Sequence, residues 1–144
     1  MPSIDELKNF LTENLVSVTE LDQPECFAIH KRWTSIYGRF NLETPCQYGS
    51  KAVAEFLSLP EREFLILFLS SRIKAFPIST NSRPCSVIRV EGLPMDISSF
   101  HELEFAITSP AFEWTLVHTH EDWSFGGPYF IRGDHLPAST INFS

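Results

Sequence analysis

Apolar positions recur along this chain at two different periods, and the change from one to the other falls near Pro60. Before it, Ile4, Leu7, Leu11 and Leu15 lie three or four residues apart with Phe10 beside them, the stripe of an amphipathic helix. Ser3 and Glu6 stand ahead of that stripe at capping-box spacing, where side-chain oxygens satisfy the first backbone amides. "LVSVTEL" leaves the helix as a short extended piece. A second helix is predicted from Asp22-Gln23-Pro24, because a first turn has no use for the N–H that proline lacks. Its stripe is Cys26, Ile29, Trp33, Ile36 and Phe40, and Gly38 suits its end. "NLETPCQYGS" reads as a loop, and "KAVAEFLSL" as a third helix that turns Val53, Phe56 and Leu57 inward and stops at Pro60.

After Pro60 the helical period gives way to runs of strand length. "EFLILFLS" is continuously apolar and predicts a strand buried on both faces, with a continued helix as its rival. "RIKAFPIS" and "CSVIRVEG" read as further strands around the turn residues "TNSRP", and "MDISSFHEL" as a short helix capped by Asp96. "LEFAIT", a Ser109-Pro110 turn, "FEWTLVHT", a loop "EDWSFGG" and "PYFIR" then predict an antiparallel meander. Helices first and strands after argue for an α+β fold, the N-terminal helices packed against one face of a mainly antiparallel sheet formed by the C-terminal half. Residues 1–144 are read as a single domain, with a helical part over about 3–59, a sheet part over about 62–133 and an irregular tail over 134–144.

Composition adds limits. A chain of 144 residues with 13 Phe buries about two-thirds of its unfolded surface, so its core needs neither a metal nor a disulfide. Cys26, Cys46 and Cys85 have no CxxC spacing and read as reduced, mostly buried thiols. The first residues carry no basic-then-apolar leader pattern, and the longest apolar run is "FLILFL", so a cytoplasmic protein with no membrane span is expected. The net charge of −7 is concentrated. Residues 91–144 hold eight acids against Arg132 alone, together with four of the five histidines. Nucleic acid is therefore not an expected partner, whereas a basic protein surface or a cation is.

The candidate chemistry gathers in "TLVHTHEDWSFGGPYF", residues 115–130. The extended "FEWTLVHTHE" followed by "GPYF", with "KRWTSIYGRF" upstream, resembles a group of small, mostly bacterial proteins classed as a domain of unknown function. That resemblance implies a compact α+β domain and supplies no activity.

On a strand, Phe112, Trp114, Leu116, His118 and His120 share one face, and Glu113, Thr115, Val117, Thr119 and Glu121 the other. A His-x-His pair on one face is a geometry that grips Zn, Mn or Fe. Glu121, Asp122, Asp134 or His135 could complete such a set, and the bound water would serve hydrolysis. Acid–base catalysis without metal would need a nucleophile among Ser124, Thr119 or a cysteine. A structural reading makes His118 and His120 hydrogen-bonded residues of a sheet end, with Gly126, Gly127 and Pro128 restarting a strand. No cofactor other than that candidate divalent metal is expected.

A binding reading starts from Trp123 and Phe125, apolar side chains in a loop beside Glu121, Asp122 and Asp134. With Tyr129 and Arg132 they would form an acidic face with an aromatic centre, suited to a basic protein partner. Acidic proteins that neutralise toxic nucleases offer the analogy. Trp33 and Trp114 are expected in the core, and His30 and His101 solvated or half-buried on helices. Arg132 is expected to pair with one of the neighbouring C-terminal acids, at about 1 kcal/mol at most if exposed, or to hold a ligand carboxylate. These features predict a non-enzymatic binding module. A metal-dependent hydrolase at His118 and His120 and a small-ligand sensor are the alternatives.

Overall fold

The computed structural model describes residues 3–14, 17–37, 46–69, 86–92, 94–119 and 127–133. The first helix, α1 (Ile4–Glu13), begins where the spacing places it: the Ser3 hydroxyl accepts from the Glu6 amide at 3.1 Å. After β1 (Ser17–Glu20), α2 (Gln23–Tyr37) is capped by Asp22, whose carboxylate accepts from the Glu25 amide. The remaining elements are β2 (Gln47–Tyr48), α3 (Gly49–Leu57), β3 (Glu63–Phe68), β4 (Ser86–Glu91), a 3₁₀ helix (Ser98–Leu103), β5 (Phe105–Thr108), β6 (Trp114–His118) and β7 (Tyr129–Arg132). Asp96 caps the 3₁₀ helix by accepting from the Ser98 amide.

The strands form one antiparallel sheet in the order β1-β4-β3-β5-β6-β7-β2. This is the α+β fold that the pattern predicts. Its five central strands come from the chain beyond Pro60, and the two edge strands come from the extended piece 17–20 and from Gln47–Tyr48 inside the segment read as a loop.

The central strand β3 explains the layering. Phe64, Ile66 and Phe68 point to one side, where α1 contributes Leu7 and Leu11 and α3 contributes Ala52 and Phe56. Leu65 and Leu67 point to the other side, against Cys26, Trp33 and Tyr37 of α2. Helices therefore cover both faces, not one, because a strand apolar on both sides must be shielded on both. Each fully buried Leu or Phe contributes about 1.5–3 kcal/mol, so leaving either face wet would be costly.

Two details differ from the helical pattern. Residue His30 is 4% exposed and not solvated, because it shares the inward stripe of α2 with Cys26, Trp33 and Tyr37. On α3 the inward residues are Ala52 and Phe56, and Leu57 is 41% exposed, because the helix starts at Gly49 and takes its phase from there. Gly49 has φ 57° and donates its amide to the Pro128 carbonyl at 2.9 Å, a left-handed conformation that glycine accepts without strain. The predicted strand "RIKAFPIS", the loop "EDWSFGG" up to Gly126 and the tail 134–144 lie outside the described residues.

Candidate functional site

The turn between β5 and β6 holds one of the two non-glycine residues with positive φ among the described residues. Phe112 has φ 61°, a left-handed conformation that is costly for a bulky side chain. Four hydrogen bonds hold it there. The Phe112 amide donates to the Ser109 carbonyl, the Glu113 amide to the Ser109 hydroxyl, and the Gly133 amide to the Glu113 carbonyl, all within 2.8–2.9 Å. The Tyr37 hydroxyl donates to the Phe112 carbonyl at 2.7 Å. The reversal breaks the predicted alternation: Phe112 packs with the α2 side of the sheet, whereas Trp114 and Leu116 pack with the α1 and α3 side.

Trp114 is 1% exposed and surrounded by rings, stacked on Phe130 at 5.6 Å and in contact with Phe56 and Phe64. Its indole N–H needs a partner there, and it donates to Oε1 of Glu61 at 3.2 Å. The other oxygen, Oε2, is shielded from solvent and has no hydrogen-bond partner among the described residues. A shielded, unpaired carboxylate oxygen is uncommon and costs free energy until some donor reaches it.

Opposite Trp114 in the sheet register stands Arg132. Its guanidinium pairs with the Glu55 carboxylate of α3 and lies over the Phe130 ring, 5.3 Å from its centre. The lone base of the last 54 residues thus joins an acid from the N-terminal half.

These groups surround a half-open cleft of about 450 Å³. Glu61 lines it from the segment before β3, Trp114 from β6, Phe112 and the exposed Glu113 from the turn, and Arg132 from the end of β7, with Ile36 of α2 completing the apolar wall. Gly133 lies on the same rim, and a Cβ there would sit 3.4 Å from both the Glu113 carbonyl and the Tyr37 hydroxyl. Chemically the cleft offers the carboxylates of Glu61 and Glu113 and the Arg132 guanidinium on one rim.

Of the residues proposed from sequence, Tyr129 and Arg132 are described, and the structure does not bring them together. They lie at opposite ends of β7, with side chains on opposite faces, and Tyr129 packs edge-on against Tyr48 at 5.7 Å. Of the candidate metal ligands, His118 is described. It is 1% exposed on the core face, its ring 5.0 Å from that of Phe105. Glu121, Asp122, Trp123, Phe125, Asp134, His120 and His135 lie outside the described residues. Among the described residues no group of three or more His, Cys, Asp or Glu is placed to hold a metal ion. Nor is any helix among them long and apolar enough to cross a membrane. His101 is half-buried and its Nδ1 lies 3.0 Å from the Thr119 carbonyl, as a structural residue beside β6.

Glu61 is the residue that sequence reading passed over. It sits in "LPEREF", where nothing local separates it from Glu63, and its role depends on a tryptophan 53 residues away. No family model, curated protein or solved structure matches this chain.

Proposed function

We propose that the protein is a non-enzymatic binding module whose acidic C-terminal half engages a basic protein partner. The observation that carries this reading is the cleft beside the strained turn, which Glu61, Glu113, Phe112 and Trp114 line together. The eight acids of residues 91–144 would steer a basic surface toward it, and the aromatic wall would supply the short-range contact. Backbone strain held by several hydrogen bonds is a feature of ligand clamps, and the turn at Phe112 has it. Glu121, Asp122, Trp123, Phe125 and Asp134 belong to the same proposal as further contacts.

The test begins with affinity capture from native cells, followed by calorimetry with the purified partner at low and high salt. Affinity should fall steeply as salt rises through the range where the screening length drops to about 10 Å and below. It should also fall with charge reversal at Glu113, and at Glu121 and Asp122 together. An affinity indifferent to salt and to both reversals would overturn the proposal.

A volume of about 450 Å³ is also of the size that takes small molecules. That observation keeps a small-ligand sensor as the second reading.

A further inference from the structure

We draw no further inference here: the strongest candidate, the solvent-facing patch of α2 where Phe27 stands 56% exposed one turn before the exposed Lys31, carries none, because nothing in the structure shows what covers it.

Discussion

The indole of Trp114 donates to the carboxylate of Glu61 at 3.2 Å, joining the first residue of β6 to the segment that leads into β3. This bond lets a tryptophan that is 1% exposed keep its N–H satisfied, and it fixes one oxygen of an acid at the cleft. Replacing Trp114 with Phe should cost about 2–4 kcal/mol, from lost ring volume and a second unpaired carboxylate oxygen. Chemical denaturation of the two proteins measures it, and a cost within error of zero would mean the bond is not formed in solution.

Tyr37 latches the turn from the other side of the sheet. Tyr37→Phe removes the donor to the Phe112 carbonyl in a buried setting. A loss of about 1–3 kcal/mol is expected, the cost of an unsatisfied buried acceptor. The amide of Phe112 should also exchange faster with solvent deuterium, because the strained turn has lost one of its restraints. Unchanged exchange at Phe112 and Glu113 would show that the remaining hydrogen bonds suffice.

On the α2 side, the Trp33 indole donates to the Thr115 hydroxyl at 3.0 Å, and that hydroxyl donates to the Ile107 carbonyl at 2.9 Å. Thr115→Val keeps the shape and leaves the indole N–H buried without this acceptor. It should destabilise by about 1–3 kcal/mol, whereas Thr115→Ser should cost less because it keeps both bonds. Equal losses for Val and Ser would assign the effect to the methyl group instead.

The Arg132–Glu55 pair is a weaker matter. The two side chains are 40% and 32% exposed, so solvent screens their attraction. A double-mutant cycle with Arg132→Ala and Glu55→Ala should return a coupling of about 1 kcal/mol or less, shrinking in salt. A coupling several times larger would mean that the pair is far better shielded than its exposure indicates.

Partial burial pushes the Cys46 thiol upward from its ordinary pKa, with a hydrogen bond from Tyr48 pulling the smaller distance back. The folded chain therefore holds this proton more tightly than the unfolded one. The resulting stabilisation is complete below the thiol's ordinary pKa and is lost as pH rises through the raised value. At pH 8 Cys46 should react with iodoacetamide more slowly than a free cysteine, because the thiolate is the nucleophile. Labelling as fast as glutathione would contradict the shift.

Much of the fold was legible because the forces that select each element act within a few residues. Ser3 caps α1 through an amide three residues on, and the unbroken apolar run 64–69, which predicts a strand buried on both faces ahead of a continued helix, supplies that strand. The placement of charge was legible too, since it is a property of the sequence itself. What the sequence alone determined, then, was the type and order of most elements, the edge strand β2 excepted, and the acidity of the C-terminal half. The tertiary structure decided which side of the sheet each helix covers, that Phe112 turns away from Trp114, and that Arg132 meets Glu55. It also chose Glu61 over the other acids as the partner of Trp114. Those outcomes depend on strand order and register, which bring residues 53 and 77 positions apart into contact, and no local pattern encodes such a meeting.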